Sequence, residues 1–295
     1  MKLPAIKDLL GLCKLKVVAL ILLTAVVGMF LAVPAPYLPD LWLAVSASIG
    51  IGMASASAAV FNHVVDEQID MQMSRTDQRP LPQGKVSRNQ ALIWGVFLGV
   101  SGLGVLALFV NTLTMVLTFV SLIGYALIYT LYLKRATPQN IVIGGAAGAA
   151  PPVLGWTAIT GSQGLEYALL LFLIIFIWTP PHFWALAIFR VEEYQKVNVP
   201  MLPVTHGLSY TRMQILLYTV LLTVVTILPY LVGMSGLIYL LSAFVLDAMF
   251  LGYAIQVYQR VDDKKIAWRT FVYSINYLML LFLALLIDHY WLIIL

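Results

Sequence analysis

Apolar segments long enough to cross a bilayer recur along almost the whole chain. A transmembrane helix needs about 20 mainly apolar residues, and such segments lie at 17–36, 41–61, 90–110, 113–133, 140–159, 167–188, 214–232, 236–258 and 270–290. Only 10% of the 295 residues are charged, too few to cover the surface of a water-soluble domain of this length. The sequence therefore predicts an all-α integral membrane protein with nine transmembrane helices.

The distribution of basic residues predicts the orientation. The connectors after the first, third, fifth, seventh and ninth helices contain no Lys or Arg, so all 17 basic residues fall on the other side, together with the N-terminus. The positive-inside rule makes that side cytoplasmic and places the C-terminus across the membrane. With no transit segment or cleavage site before the first apolar run, we expect a retained helix in a bacterial inner membrane. The basic residues are scattered among short loops, which argues against nucleic acid as a partner.

Two cytoplasmic connectors, about 62–89 and 189–213, are long and polar. Long ordered loops usually carry function. Four helices separate the two connectors, so we expect one domain, residues 1–295, in which both loops lie at a shared mouth.

The first loop begins with a polar stripe. Asn62, Asp66 and Asp70 are spaced i, i+4, i+8, so on a continued helix they share one face, about 6 Å apart along the axis. Two carboxylates and an amide oxygen suit Mg²⁺, which prefers oxygen ligands and often shares substrate phosphates. The alternative is a solvated helix end. A partly membrane-embedded carboxylate is costly, which favours the functional interpretation.

Arginines follow the stripe directly. Arg75 and Arg79 offer forked donors to phosphate oxygens, and Lys85 lies beyond them. Their alternative role is to set the topology alone. Acids, a metal, a phosphate and arginines form a coherent set for binding a diphosphate.

The Asn62, Asp66, Asp70 stripe is followed by Arg75-Thr76 and Arg79-Pro80-Leu81. Together with the segments that follow, this motif resembles the UbiA superfamily of intramembrane prenyltransferases, most closely its heme O-forming branch. The further matching segments are Tyr129-Thr130, Tyr132-Leu133-Lys134-Arg135, Pro151-Pro152, Gly155-Trp156, Trp178, Pro180-Pro181-His182-Phe183, Val199-Pro200-Met201-Leu202-Pro203, Ser274-Ile275 and Tyr277-Leu278.

This resemblance implies nine helices around a central cavity that opens to the cytoplasmic side. It implies Mg²⁺ as cofactor, farnesyl diphosphate and protoheme IX as substrates in a membrane-lipid environment, and heme O as product. A downstream heme-modifying enzyme or terminal oxidase assembly would receive that product. The resemblance also makes Glu193 the acid of a second, degenerate motif, where the family often has Asp; the adjacent Glu192 is expected to be solvated.

The segment before the first helix departs from the family pattern. The family commonly has Thr-Lys-Pro-Arg there, whereas this chain has Cys13-Lys14-Leu15-Lys16. Both charges remain and the proline is absent.

Further candidates lie at helix ends and inside helices. Lys134, Arg135 and Tyr129 are candidate diphosphate partners, or alternatively interfacial anchors. His182 follows a proline pair inside the sixth helix, at a depth where a histidine is a functional candidate. It would ligate heme iron, bond a propionate or satisfy a freed carbonyl.

Other polar or small residues have weaker functional interpretations. His63 and His206 are expected near water, His289 lies on the far side, and Asp247 must find a partner within the membrane. Close helix packing is the usual meaning of Gly144, Gly145 and Gly148; lining space for a flat macrocycle is the alternative.

Two other functions compete with heme farnesylation. One is a UbiA-type prenyltransferase that acts on an aromatic or quinone precursor, which the Pro180-Pro181-His182 segment disfavours. The other is a secondary transporter, for which a binding site near the midplane is expected. Acids and arginines are instead concentrated at one face of this chain.

Overall fold

The computed structural model describes residues 4–74, 76–261 and 263–291. Within these ranges the chain is mainly helical. The helices are α1 (Ile6–Leu12), α2 (Leu15–Leu31), α3 (Leu41–Asp70), α4 (Arg88–Phe109), α5 (Thr112–Ala136), α6 (Asn140–Thr160), α7 (Leu165–Phe189), α8 (Val191–Lys196), α9 (Leu202–Thr205), α10 (Gly207–Leu231), α11 (Leu237–Gln259) and α12 (Lys264–Trp291).

The membrane spans agree with the predicted apolar segments. In the described ranges, eight helices are long and apolar enough to cross a bilayer, and the α1–α2 pair, bent by 57°, makes a ninth if it is one span. The predicted all-α membrane fold is confirmed. The predicted first span, 17–36, is displaced: α2 ends at Leu31. Pro34 and Pro36 follow, and proline does not continue a helix.

Large apolar side chains lie on the outside of the bundle. Val100, Leu108 and Leu241 are 67%, 79% and 63% exposed, respectively. Exposed apolar surface on this scale requires a lipid environment rather than water. The protein is therefore an integral membrane protein.

The two polar loops are shorter than predicted because helices extend into them. The third helix continues to Asp70, so the whole acidic stripe is helical and the first loop begins at Met71. The second loop contains the short helices α8 and α9 and ends where α10 begins at Gly207.

Two helices cross in backbone contact at a pair of glycines. A Cβ atom on Gly155 of α6 would lie 1.9 Å from the carbonyl oxygen of Ala25 in α2, and one on Gly28 would lie 2.3 Å from that of Pro152. No side chain fits at either position. Small residues that let membrane helices approach closely are a recurrent packing device.

Helix α5 changes geometry before its C-terminal end. Residues Gly124–Leu133 form a π-helix, in which the Thr130 hydroxyl donates to the carbonyl oxygen of Tyr125 at 2.7 Å. The wider π turn changes the direction in which the following side chains project, and such segments are frequent at functional sites.

Candidate active site at the helix ends beside the two polar loops

The predicted polar stripe is buried at the end of α3. Asn62, Asp66 and Asp70 are 4%, 3% and 4% exposed. The Asn62 amide donates to Oδ2 of Asp66 at 2.9 Å and more weakly to the Thr130 hydroxyl at 3.4 Å. The stripe therefore faces the interior, toward the π-helical part of α5.

Three cations from different parts of the chain converge on this stripe. Lys134 Nζ lies 2.6 Å from Oδ2 of Asp66, and Arg79 donates to Oδ2 of Asp70 at 2.6 Å. Lys14 Nζ donates to Oδ1 of Asn62 at 2.5 Å. Because these three cations outnumber the two carboxylates, the cluster is suited to receive a polyanion.

Lys14 is a member of this cluster that sequence reasoning did not place there. Its backbone adopts φ 50°, ψ 51°, at the bend between α1 and α2. A left-handed conformation is uncommon for a residue with a side chain, and it concentrates at functional positions. The surviving charges of the Cys13–Lys16 segment were the available signal.

The second acidic motif joins the first loop. Glu193 Oε1 accepts from Arg190 of its own loop, and from the Ser74 hydroxyl of the first loop at 3.4 Å. Met73 also packs in one apolar cluster with Tyr194 and Val199. The two loops therefore meet at one mouth.

Glu192 points elsewhere, although it is adjacent to Glu193. Its side chain is 80% exposed, and its carboxylate accepts from Lys264 Nζ at 2.6 Å. The Lys264 ammonium holds the pKa of the Glu192 carboxyl below its ordinary value. Neighbouring residues on a helix project about 100° apart, so only one of the two acids faces the mouth.

Tyr129 and the glycines of α6 form one wall. The Tyr129 ring stacks on Tyr125 with centroids 5.4 Å apart. A Cβ on Gly144 would lie 2.2 Å from the Tyr129 ring, and one on Gly145 would lie 3.0 Å from Thr179. A Cβ on Gly148 would meet nothing within 4 Å. Close packing thus explains Gly144 and Gly145, whereas Gly148 borders open space.

His182 lies in an aromatic clamp inside α7. Its ring stacks on Trp178 with centroids 4.2 Å apart and on Phe271 with centroids 4.6 Å apart. Its Nδ1 lies 2.6 Å from the hydroxyl of Ser274 in α12. Because its helix ends at Phe189, His182 lies about 10 Å along the helix axis from that end, toward the middle of the span.

A profile of the UbiA prenyltransferase family matches residues 21–287. The chain belongs to the UbiA prenyltransferase family. Similar proteins named protoheme IX farnesyltransferase include the following two. That of Ruthia magnifica subsp. Calyptogena magnifica is 80% identical over 293 residues, 99% of this chain and 98% of the relative. That of Vesicomyosocius okutanii subsp. Calyptogena okutanii (strain HA) is 77% identical over 290 residues, 98% of each. The predicted branch of the family, and prenyltransferase activity, are confirmed.

Solved structures share the UbiA fold. A digeranylgeranylglyceryl phosphate synthase has a TM-score of 0.79 at 20% identity, covering 96% of this chain and 98% of the other. A UbiA homolog from Archaeoglobus fulgidus, bound to GPP and Mg²⁺, has a TM-score of 0.64 at 16% identity, covering 94% and 99%. At these identities the similarity shows the fold alone.

The donor set fits the divalent metal that such UbiA neighbours bind. Asp66 Oδ1 and Glu193 Oε2 are buried oxygens without a hydrogen-bond partner, so each has capacity for a cation. In the described ranges, no three His, Cys, Asp or Glu side chains could hold a metal together. A site of two acids and an amide suits Mg²⁺, which commonly completes its shell with water and substrate phosphate.

Arg75 and Arg135 were also predicted to contact the diphosphate. Arg75 lies outside the described residues. Arg135 is exposed and has none of the contacts that join Lys134 to the stripe. Both remain predictions as diphosphate partners, and the geometry favours Lys134 over its neighbour.

The structure also shows the surroundings of three other histidines and of Asp247. The expectation that His63 lies near water is wrong: it is 2% exposed, and both ring nitrogens lack a partner. His206 is exposed beside Thr205, and His289 lies 2.9 Å from the Val33 carbonyl oxygen. Asp247 accepts from the hydroxyls of Tyr277 at 2.6 Å and Thr226 at 2.7 Å, which is a structural arrangement.

Proposed function

We propose that this protein transfers the farnesyl group of farnesyl diphosphate to a vinyl group of protoheme IX, with addition of water, to give heme O and diphosphate. The observation that carries the proposal is the buried cluster of Asp66, Asp70, Lys134, Arg79 and Lys14 at the inner end of α3. The names of the close relatives support the heme acceptor.

Diphosphate departure is the step that the cluster serves. When the allylic C–O bond breaks, its electron pair leaves with the diphosphate, and negative charge grows on the phosphate oxygens. Arg79 and Lys134 donate to those oxygens from fixed positions, and preorganised donors stabilise developing charge strongly in a dry site. Arg75 is proposed as a third donor. Asp66, Asp70 and Asn62 would hold Mg²⁺, which when bound would supply further positive charge to the leaving group.

Lys14 links Asn62 to the bound substrate. In the structure its ammonium donates to Oδ1 of Asn62, and this positive charge opposes ligation of a metal cation by the same oxygen. The incoming diphosphate provides the ammonium with a new partner of opposite charge. Asn62 and Lys14 thus exchange partners as substrate binds.

Addition to the vinyl group needs no strong base. The vinyl π electrons form a bond to the farnesyl carbon, which leaves a cation next to the macrocycle. Water adds to that cation and loses a proton, giving a hydroxyethylfarnesyl substituent. His182, about 10 Å deeper than the inner end of its helix, is proposed to contact the heme while the diphosphate stays at the mouth.

The orientation belongs to the same proposal. The cluster and both loops lie on the side that carries the basic residues, which the positive-inside rule makes cytoplasmic. Farnesyl diphosphate is then drawn from the cytoplasm, with its chain in the bilayer of a bacterial inner membrane.

A reconstituted assay tests the proposal. Purified protein in nanodiscs is incubated with farnesyl diphosphate, protoheme IX and Mg²⁺, and products are analysed by mass. We expect protoheme that has gained one farnesyl group and one hydroxyl group across a vinyl double bond, and no product after chelation with EDTA. Prenylation of an aromatic acid in place of heme would overturn the acceptor. Failure to consume farnesyl diphosphate would overturn the reaction and favour transport.

A further inference from the structure

We infer that Ser274 is a positioning residue that holds His182 as the Nδ1–H tautomer, so that Nε2 presents its lone pair to the iron of the heme. The inference rests on the proposed function for the identity of the heme. The hydrogen bond itself is independent of that function.

The single hydrogen of the Ser274 hydroxyl is already used. The hydroxyl donates to the carbonyl oxygen of Phe271, one turn earlier in α12, at 2.7 Å. A hydroxyl has one hydrogen and can accept through its lone pairs. His182 Nδ1 lies 2.6 Å from the same oxygen. If Ser274 donated to His182 instead, its oxygen would face the Phe271 carbonyl lone pair to lone pair. Nδ1 is therefore the donor.

The imidazole ring is held so that it cannot exchange its edges. Trp178 is inclined by 19° to the His182 ring and Phe271 by 27°, so both lie nearly parallel to it. The Trp178 indole also donates to the backbone carbonyl of Ser274 at 2.9 Å. A flip of the ring would replace Nδ1 with carbon opposite Ser274 and lose the hydrogen bond. The direction of Nε2 is thus set by packing and by Ser274 together.

Nε2 is the ring nitrogen of His182 that is left for a ligand, because Nδ1 is committed to Ser274. His182 as a whole keeps 7% of its surface exposed. A neutral imidazole protonated at Nδ1 has its lone pair on Nε2, the form in which histidine binds metals. A hydrogen bond from the distal nitrogen fixes the tautomer and raises ligand basicity.

The tautomer is tested without substrate. The protein has four histidines, so ¹⁵N-histidine labelling with a His182→Gln comparison assigns the His182 signals. We expect a proton on Nδ1 and an unprotonated Nε2 in the wild type, and loss of this single tautomer in Ser274→Ala. A proton on Nε2 of wild-type His182 would overturn the inference.

Heme binding is tested with matched variants. Thr270→Val removes a hydroxyl that donates to the Ile266 carbonyl one turn earlier in the same helix, and it is the control for Ser274→Ala. Ferric protoheme IX is titrated and its Soret band recorded. We expect Ser274→Ala to weaken heme affinity about 10-fold to 100-fold, with an altered Soret band, while Thr270→Val and Ser274→Thr retain both.

Two results would contradict the positioning role. Equal heme affinity and equal spectra for Ser274→Ala and Thr270→Val would show that the hydroxyl does not tune an iron ligand. Absence of heme binding by the wild-type protein would overturn the iron assignment and the proposed acceptor together. In that case the labelling experiment would still decide the hydrogen bond.

Discussion

The ammonium nitrogen of Lys134 lies 2.6 Å from Oδ2 of Asp66, although 68 residues separate them in the chain. Both side chains are largely buried, 13% and 4% exposed. Their contact joins the C-terminal end of α5 to the acidic stripe of α3. It leaves Oδ1 of Asp66 buried without a partner, and this free oxygen makes Asp66 the most informative residue to change.

Asp66→Asn keeps the shape of the side chain and removes its charge. We expect transfer to fall by at least about 10²-fold, the effect of losing one preorganised electrostatic group, with normal membrane insertion. Glu67→Gln is the matched control, because Glu67 pairs with the exposed Arg88 at 3.3 Å, and such surface pairs contribute about 0–1 kcal/mol. Rates of heme O formation measure both. Transfer by Asp66→Asn within tenfold of wild type would refute the metal assignment.

Lys134→Met and Arg135→Met separate two adjacent cations. A hydrogen bond to a charged group contributes about 1.5–3 kcal/mol, so we expect Lys134→Met to raise the KM for farnesyl diphosphate roughly 10-fold or more. Heme affinity should be unchanged. Arg135 is exposed, so its variant should raise that KM less than Lys134→Met does. Steady-state kinetics at varied farnesyl diphosphate check this, and equal effects at both positions would show that the observed pairing does not predict substrate contact.

Glu193→Gln and Glu192→Gln test the second acidic motif. Glu193 faces the mouth with Arg190 and Ser74, so its loss should lower the transfer rate by about 10-fold, in line with removal of a charge-assisted contact. Glu192→Gln should leave transfer unchanged. A reversed order of effects would place the functional acid at Glu192.

The Glu192–Lys264 pair should contribute to stability at neutral pH and lose that contribution in acid. Since the pKa of the Glu192 carboxyl is lowered by Lys264, its contribution is present above the unfolded pKa and is lost as pH falls through the folded pKa. The range from about pH 6 to 8 is well above the ordinary carboxyl pKa. The contribution of this pair to the free energy of unfolding should therefore be constant there. Thermal melts of wild type and Glu192→Gln should therefore differ by a constant amount over that window.

Gly155→Ala and Gly148→Ala test the helix crossing. The first would put a Cβ 1.9 Å from a backbone oxygen, whereas the second meets nothing within 4 Å. Overpacking costs about 1–3 kcal/mol, so we expect Gly155→Ala to lower the melting temperature. Gly148→Ala should not lower it. Heating in detergent, followed by size-exclusion chromatography, measures it. Equal stability of the two variants would show that α2 and α6 separate easily.

The acidic stripe could be predicted because its cause is local. Spacing of four residues places Asn62, Asp66 and Asp70 on one face of any helix, and the structure shows that helix continuing to Asp70. Lys14 could not be placed in the same way. Its partner lies 48 residues away, and the contact depends on the bend between α1 and α2. The preference for Lys134 over Arg135 likewise depends on a π-helical segment that no pattern in the sequence signalled.

The clamp around His182 shows the same limit. Its position within a helix followed from the apolar segment that surrounds it, and its depth made it a candidate. Its partner Ser274 lies 92 residues away in α12. Which hydroxyl meets a histidine across two helices is set by how the helices pack, so the tautomer could be assigned only from the structure.

By itself the sequence determined the helices, the acidic stripe and the family. These follow from short-range physics: a bilayer requires long apolar segments with internally satisfied backbone groups, and helical periodicity fixes the faces. Only the tertiary structure decided which polar groups meet: Lys14 with Asn62, Lys134 with Asp66, Ser74 with Glu193 and Ser274 with His182. Such contacts depend on the packing of helices that are distant in the chain.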